Sequence, residues 1–252
     1  MDTAKPAPTL MCSSTPLTRH GGTLLDNPKE YRTVVGSLQY LSLTRPDISF
    51  AVGKLSQYMH QPTSEHWTAA KRVLRYLAGT ANAGIFLRRS NNLALHAFSD
   101  ADWGGNKDNY FSIGAYVVFL GQHPVAWSSK KQKGIARSST EAEYRSVANT
   151  ASEVRWVISL LTELKLQSTQ PPVLYCDNIG ATYICANHAF HSRMKHVALD
   201  YHFIRDLVQS GVLSVRHVSS ADQLADALTK PLPHGRFHSL FDKIGFSKGG
   251  SS

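Results

Sequence analysis

The sequence predicts an α/β protein: a mixed β-sheet flanked by helices, preceded by a small helical N-terminal region. Three observations support this prediction. Apolar residues recur at helical spacing through residues 28–80, whereas residues 85–129 contain short alternating apolar runs bounded by Gly, Asn, Pro or Ser. Beyond residue 139 helical and strand patterns alternate, which is typical of a sheet with helices on its faces.

The N-terminal part divides into two predicted segments. Residues 1–28 are rich in Pro, Thr, Ser and Gly and predict a flexible lead-in. Residues 29–85 predict a helical region, with Ser64 as the cap of its last helix. The three predicted helices of this region are Pro28–Leu43, Ile48–Met59 and Ser64–Leu77.

The sequence predicts a second domain at residues 90–232, and a C-terminal helix with a flexible tail at residues 233–252. The first strands, predicted as neighbours in a meander, are Ile85–Leu87, Leu93–Ser99, Ile113–Leu120 and Val125–Ser129. A long helix follows at Ser139–Leu166. The remaining predicted elements are a strand at Val173–Cys176, helices at Asn178–His188 and His196–Ser210, a strand at Val212–Val218, and helices near 222–230 and 235–243.

The overall charge favours a polyanionic partner. Lys and Arg number 27 against 18 Asp and Glu, which gives a net charge of +9 and suits contacts with nucleic-acid phosphates. No apolar run is long enough for a membrane span, and the N-terminus lacks a secretory pattern. We therefore expect an intracellular protein of the cytoplasm or nucleus, with no membrane partner. Three cysteines without metal-ligand spacing predict reduced thiols.

Acidic residues that a strand or helix directs inward are the candidates for chemistry, because a buried carboxylate is costly unless a partner offsets its charge. Asp100 and Asp102 end a predicted strand and share its parity, so alternation does not separate them. On the long helix, Glu143 lies in the apolar stripe, whereas Glu141 points about 120° away and fits a capping box.

Two further acidic positions lie in the second half of the chain. Asp177 ends a short apolar strand, and Asn178 is placed to cap the next helix in its stead. Asp222 lies in the first turn of a predicted helix, where its negative charge interacts favourably with the helix dipole. Asp226 follows one turn later with no evident structural role, so four places on the chain offer candidate acids.

Together these acids resemble the active site of the ribonuclease H superfamily. The matching strings are SDADWGG, STEAEYRSVA, LYCDN and DQLADALTK. The resemblance implies a ribonuclease H-like five-stranded sheet and selects Asp100 over Asp102 and Asp226 over Asp222. It implies that the catalytic and metal-binding residues are Asp100, Glu143, Asp177 and Asp226.

Oxygen ligands without Cys or His favour two Mg²⁺ ions, with Mn²⁺ as the alternative, over zinc. The hypothesis is that Asp100 bridges the two ions, Glu143 and Asp177 hold one, and Asp226 holds the other.

A closer resemblance covers about residues 30–245. Strings such as YRTVVGSLQYLSLTRPDISFAV, HWTAAKRVLRYLAGT and DQLADALTKPL resemble the C-terminal part of the Pol polyprotein of copia-type retrotransposons. This implies a remnant of the reverse transcriptase thumb and connection joined to a ribonuclease H that acts on RNA–DNA hybrids. The remaining reverse transcriptase domains of a parent Pol are implied partners. The Tyr-x-Asp-Asp motif of the polymerase is absent from the chain, so we expect no polymerase activity.

Basic residues before the long helix are candidate nucleic-acid contacts. They are Lys130, Lys131, Lys133 and Arg137, with Trp127 nearby, and a weaker group comprises Arg193, Lys195 and His196. Many ribonucleases H use a loop histidine before the last helix. We expect His217 to lie in a strand instead, as an ordinary core or surface imidazole.

Two other interpretations stay open. One is a decayed element that binds nucleic acid without cleaving it, favoured by the segment DNYFSIGAY at residues 108–116, where the family usually carries Arg-Arg-Ser-Thr before the Gly. The other is an integrase or resolvase of the same fold. The LADALTK string counts against an integrase, and the four carboxylates favour an active nuclease.

Overall fold

The computed structural model describes residues 4–166, 170–187 and 197–248. Its α-helices are α1 (Lys29–Leu41), α2 (Ser49–Ser56), α3 (Ser64–Gly79), α4 (Ser139–Glu163), α5 (Ile179–Ala186), α6 (Ala198–Gln209) and α7 (His234–Ile244). Its strands are β1 (Ala83–Ile85), β2 (Leu95–Asp102), β3 (Ile113–Leu120), β4 (His123–Lys131), β5 (Val173–Cys176), β6 (Ser214–His217) and β7 (Phe246–Lys248). Short 3₁₀ helices lie at Pro46–Ile48, Ser220–Asp222 and Leu224–Leu228.

A mixed five-stranded sheet, in the order β4-β3-β2-β5-β6, forms the centre of the protein. β2, β3 and β4 make an antiparallel meander, whereas β5 and β6 run parallel to β2. The predicted α/β fold class, a mixed five-stranded sheet with flanking helices and a helical N-terminal region, is confirmed. Ser99 of β2 lies beside Cys176 of β5, so Asp100 and Asp177 follow at the same edge of the sheet.

Helix α4 covers one face of this sheet. Ser138 caps the helix by accepting a hydrogen bond from the backbone N–H of Glu141 at 3.2 Å. Its apolar stripe then packs on β2, β3 and β5 together with α5 and α6. The stripe is the one that helical spacing predicts, and its buried members include Val147, Ala151 and Val154.

The helical region covers the other face of the sheet. Alternate residues of β3 point toward it and share one apolar core with α1, α2, α3 and α7. These β3 residues are Ile113, Ala115, Val117 and Phe119. Helix α7 follows the sheet in sequence, yet it packs in the core of the N-terminal helices, so residues from both ends of the chain close this face.

A buried ion pair anchors the helical region. Arg45 donates two hydrogen bonds to Asp47, at 2.8 and 2.7 Å, and a third to the backbone carbonyl of Thr80 at 3.1 Å. The hydroxyl of Tyr76 donates to the same Asp47 carboxylate at 2.9 Å. Both charges are therefore hydrogen-bonded on several sides, which is the condition under which a buried pair is tolerated.

Several predicted elements differ in the structure. The prediction of a meander strand at residues 85–87 is wrong. The strand found there, β1, ends at Ile85 and pairs with β7 in a separate two-stranded sheet. The cap of α3 is Thr63, whose side chain forms a reciprocal capping box with His66, and Ser64 is the first helical residue. The helix predicted near 222–230 consists of two 3₁₀ turns.

The segments predicted to be flexible are packed where the structure describes them. In the lead-in, Ala7, Leu10 and Met11 are buried, and Arg72 donates to the backbone carbonyl of Thr9 at 3.0 Å. The predicted tail contributes β7 to the small sheet. Among the described residues, none of the helices has the length and apolar character needed to cross a membrane.

Candidate active site

Asp100 lies near the end of the central strand β2 and is almost completely buried, with 3% of its surface exposed. The hydroxyl of Thr229 donates a hydrogen bond to its Oδ2 atom. The hydroxyl of Ser146, on α4, donates to the Asp100 backbone carbonyl at 2.8 Å. Helix α4 and the segment after Asp226 therefore both fix the position of this residue.

Glu143 reaches the sheet edge from the first turns of α4, as its helical position predicts. Its Oε1 accepts the backbone N–H of Ala101 at 3.2 Å, and the thiol of Cys176 lies 3.6 Å from Oε2. One ligand atom each of Glu143, Cys176 and Asp177 lies within 4.8 Å of the others. This geometry suits a shared cation.

Glu141 has the structural role that the sequence predicts, although its partners differ. Its carboxylate accepts the backbone N–H of Arg137 at 2.9 Å and pairs with Arg145 at 2.6 Å. A capping box would have joined it to the backbone N–H of Ser138 instead. Glu141 is buried in this way on the side of the basic segment, away from the contacts of Glu143.

Asp177 does not cap α5, because Asn178 does so by accepting a hydrogen bond from the backbone N–H of Ala181 at 2.9 Å. Two side chains before Asp226 hold the Asp177 carboxylate instead. The hydroxyl of Ser220 donates to Oδ2 at 2.7 Å, and the amide of Gln223 lies 3.4 Å from Oδ1. The same Gln223 amide donates to the Ser99 carbonyl at 2.9 Å, so it ties Asp177 to β2.

Asp226 is buried in the second 3₁₀ turn, where two cations contact it. Lys230 Nζ lies 2.7 Å from Oδ1, and the Arg236 guanidinium lies 3.4 Å from Oδ2. Asp222, by contrast, is exposed and pairs with Lys243 at 2.7 Å. The structure thus places Asp226 inward and Asp222 at the surface.

The buried carboxylates act on one another electrostatically. Burial raises the pKa of Asp100, Lys230 opposes that rise, and Asp226 and Asp177 add to it. Burial likewise raises the pKa of Glu143, and the neighbouring Asp100 and Asp177 raise it further. Repulsion of this kind is what a divalent cation would relieve. Among the described residues, the group of three whose ligand atoms lie close enough to share an ion is Glu143, Cys176 and Asp177, and it includes neither Asp100 nor Asp226.

Asp102 belongs to a different environment at the end of β2. Burial raises its pKa, and the charges that oppose this rise are Lys230, Lys54 and Lys107. Its carboxylate lies against Gly105, where any Cβ would overlap it. Lys230 acts on both residues, but Asp226 and Asp177 act on Asp100, whereas the other charges that act on Asp102 are those of lysines.

Comparison with known proteins decides the family. No protein-family model matches the chain. It is 65% identical to the retrovirus-related Pol polyprotein from transposon RE2 of Arabidopsis thaliana over 248 residues, which are 98% of this chain and 17% of that protein. This chain belongs to the retrovirus-related Pol polyproteins of transposons.

More distant relatives agree with this assignment. The Pol polyprotein of transposon TNT 1-94 of Nicotiana tabacum is 38% identical over 216 residues, covering 85% of the chain and 16% of that protein. The chain spans about one sixth of the length of these curated relatives. The chain therefore corresponds to one segment of these polyproteins, the Pol segment.

Solved structures show a likeness at the level of the fold. A foamy viral protease-reverse transcriptase in complex with double-stranded DNA matches with a TM-score of 0.50 and 14% identity, over 81% of this chain and 33% of that chain. The ribonuclease H1 LC11, solved with an RNA/DNA hybrid, matches with a TM-score of 0.41 and 13% identity, over 54% of this chain and 93% of that one.

Sequence reasoning missed several side chains that hold the acids of the Pol segment. These are Ser220 and Gln223 on Asp177, Thr229 on Asp100, and Lys230 and Arg236 on Asp226. Only the string LTK, at residues 228–230, offers a signal in the sequence, since a hydroxyl and an ammonium there lie within reach of the Asp226 region. The thiol of Cys176, which the cysteine spacing does not predict to take part, lines the same site.

The basic residues predicted to contact nucleic acid are exposed to solvent. Lys130, Lys131, Lys133 and Arg137 all reach solvent, and the Lys131 ammonium lies 4.9 Å from the centre of the Phe111 ring. Trp127 has a structural contact instead, because its indole N–H donates to the Ser42 carbonyl at 3.0 Å. Arg193, Lys195 and His196 lie outside the described residues.

Two other features of the Pol segment have structural partners. His217 ends β6, as predicted, and its Nε2 lies 3.2 Å from the backbone carbonyl of Asp177. The unusual segment 108–116 docks on the N-terminal part, where Asp108 accepts the backbone N–H of Arg19 at 2.8 Å and the Tyr58 hydroxyl at 3.2 Å. Asp108 therefore joins the sheet to the helical region.

Proposed function

We propose that this Pol segment is a metal-dependent ribonuclease H that hydrolyses the RNA strand of RNA–DNA hybrids during reverse transcription. The observation that carries this proposal is the carboxylate cluster of Asp100, Glu143, Asp177 and Asp226, in which Asp177 is half-buried and the other three are buried. Each of the four is held by neighbouring side chains or backbone. Burial raises the pKa of Asp100 and Glu143, and the charges of the neighbouring acids raise it further. A chain gains nothing in stability from such repulsion, so the cluster has the character of a binding site.

Each acid has a distinct place in the proposed site. Asp226 and Asp177 act electrostatically on Asp100, and Asp100 acts on Glu143, so we assign Asp100 to both metal positions. Glu143 and Asp177, whose ligand atoms are neighbours, would hold one Mg²⁺ ion, and Asp226 the other. When bound, such a pair of ions neutralises the phosphate charge and activates water for in-line attack.

The residues around the acids prepare the site before any ion binds. Thr229 restrains Asp100, while Ser220 and Gln223 restrain Asp177. Because these hydroxyl and amide donors occupy one lone pair each, the carboxylates keep others for cations. Preorganisation of this kind shortens the rearrangement needed on binding.

The substrate assignment rests on charge and exposure. The basic segment of Lys130, Lys131, Lys133 and Arg137 leads into α4 and therefore into Glu143. Phosphate contacts there would orient a nucleic-acid strand, while a hybrid would be distinguished through the 2′-hydroxyls in its wide minor groove. The products would be a 5′-phosphate and a 3′-hydroxyl.

The decayed-fragment interpretation is the second candidate. It is favoured by the segment 108–116, which lacks the cations typical of the family and whose Asp108 is occupied by Arg19 and Tyr58. In that case the Pol segment binds nucleic acid and does not cleave it. In both cases we propose that it works beside the remaining reverse transcriptase domains of its parent polyprotein and has no polymerase activity alone.

The test is cleavage of a labelled RNA–DNA hybrid in Mg²⁺ by the full chain and by Asp177→Asn. We expect the wild type to cut only the RNA strand and the variant to lose more than about a hundredfold in rate, since disturbing even outer partners of metal ligands costs 10- to 100-fold. Asp222→Asn is the matched control, because it removes an acid nearby that faces solvent. Equal cutting by wild type and Asp177→Asn, or none by either, would refute the proposal.

A further inference from the structure

Both carboxylate oxygens of Asp226 are engaged by cations of the protein itself. Lys230 Nζ lies 2.7 Å from Oδ1, one helical turn further along the chain, and Arg236 lies 3.4 Å from Oδ2. Asp226 is 6% exposed, so water replaces neither cation easily. A divalent ion that binds Asp226 at Oδ1 would have to displace Lys230.

The two cations differ in how firmly they are held. The Arg236 guanidinium also donates to the backbone carbonyls of Ser220 and Ala221, which fix its plane and position. Lys230 carries its charge on a flexible four-carbon stem, and 42% of its side chain is exposed. Lys230 is therefore the cation that can swing into solvent while Arg236 stays.

The charge of Lys230 also acts on most of the acid cluster. Its ammonium interacts with Asp100 and Asp177 as well as Asp226, three of the four candidate metal ligands. Without a metal and without Lys230, the charges of Asp226 and Asp177 would act on Asp100 with no ammonium to oppose them. An ammonium in this position offsets the charge that a divalent ion would otherwise offset.

We propose that Lys230 is an internal counter-ion that occupies a cation position of the acid cluster in the metal-free protein and releases Asp226 when a divalent ion binds. The inference rests on the proposed function, in that it takes the four acids to be the metal site. Lys230 is thus a positioning residue: it keeps the cluster folded in the absence of metal and lowers the apparent affinity for metal, because binding must break its ion pair.

The experiment compares Lys230→Met with Lys243→Met in the full chain. Lys243 is the matched control because it also makes a 2.7 Å ion pair, with Asp222, and has a similar exposure of 47%, but lies outside the acid cluster. Mn²⁺ affinity is measured by isothermal titration calorimetry. The melting temperature is measured in EDTA and in Mg²⁺, with circular dichroism to verify folding.

We expect Lys230→Met to bind Mn²⁺ at least about fivefold more tightly than wild type, the lower end of typical coupling between two binding events. Its melting temperature should fall in EDTA and recover in Mg²⁺, whereas Lys243→Met should match wild type in affinity. Lys230→Gln, which keeps a polar side chain, should tighten Mn²⁺ binding in the same direction and serves if Lys230→Met does not fold in EDTA.

Unchanged or weaker Mn²⁺ affinity in both Lys230 variants would overturn the inference, as would an equal change in Lys243→Met. Absence of Mn²⁺ binding by every protein would overturn it too, since no ion would then compete with Lys230. The proposed function fails separately, through lack of hybrid cleavage by the wild type. A protein that cleaves hybrid while Lys230→Met leaves metal affinity unchanged would contradict the counter-ion role alone.

Discussion

Replacing Glu143 by Gln should stabilise the metal-free protein at neutral and alkaline pH while abolishing hydrolysis. Glu143 is 6% exposed, and burial, together with Asp100 and Asp177, raises its pKa. Gln is nearly isosteric, and its amide oxygen can still accept the backbone N–H of Ala101. The substitution therefore removes the buried charge and keeps the shape and the hydrogen bond.

The sign of this stability change follows from the direction in which folding changes the pKa of Glu143. A carboxyl whose pKa is higher in the folded state costs nothing below its unfolded pKa, about 4.3 for Glu. Its penalty grows as the pH rises from that value to the folded pKa and is constant above it. Each pH unit by which folding raises the pKa removes about 1.4 kcal/mol from the free energy of unfolding. At pH 8 we expect Glu143→Gln to gain at least about 1.4 kcal/mol, or roughly 3–6 °C in melting temperature.

The assay is urea unfolding of wild type and variant in EDTA at pH 5 and pH 8. The gain should be larger at pH 8 than at pH 5, and Mg²⁺ should stabilise the wild type but not the variant. Glu163→Gln, at the exposed end of the same helix, is the control for the change in net charge. A variant that is less stable than wild type at pH 8, or a gain that does not depend on pH, would refute the reasoning.

Three further predictions concern the surroundings of the site. Asp47→Ala should destabilise the protein by about 3–5 kcal/mol, because it leaves the Arg45 charge buried without its partner; chemical denaturation measures this, and a loss under about 1 kcal/mol would contradict it. Replacing the four basic residues before α4 by Gln should weaken the binding of an RNA–DNA hybrid; they are Lys130, Lys131, Lys133 and Arg137. The slope of log K against log salt, measured by fluorescence anisotropy in Ca²⁺, should fall by about one for each phosphate that is no longer bound. An unchanged slope would exclude these residues as phosphate ligands. Residues 90–232 alone should bind a hydrophobic dye and melt without a cooperative transition, because the β3 face loses its helical cover; a sharp two-state melt would show that the helical region is dispensable.

Much of the fold could be predicted because it depends on local patterns. The meander, α4 and β5 follow from alternation, helical spacing and capping residues, all readable over a few residues. β1 could not be placed, because its partner β7 lies more than 150 residues away and three-residue strands carry no distinctive pattern. The N-terminal lead-in packs through Leu10 and Met11, whose isolated apolar side chains gave no period.

The candidate site divides in a similar way. Helical geometry placed Glu143 at the sheet, and strand position with a spare cap placed Asp177 at its edge. The family resemblance was needed to choose between the two acids of each remaining pair. Asp100 and Asp102 lie two residues apart on one face of a strand, and Asp222 and Asp226 lie four residues apart on one face of a predicted helix. The structure distinguishes them through long-range contacts such as Thr229 with Asp100 and Lys243 with Asp222. The catalytic and metal-binding roles of the four acids, the domain limits and the intracellular location remain predictions.

The proposed metal site is tested most directly by diffraction from crystals of the full chain soaked in Mn²⁺, with anomalous maps that locate the ions. We expect anomalous peaks within coordination distance, about 2.0–2.4 Å, of the carboxylates of Asp100, Glu143, Asp177 and Asp226, with Lys230 withdrawn from Asp226. An intact sheet with no peak at these carboxylates, or with peaks only at surface acids such as Asp222, would contradict it.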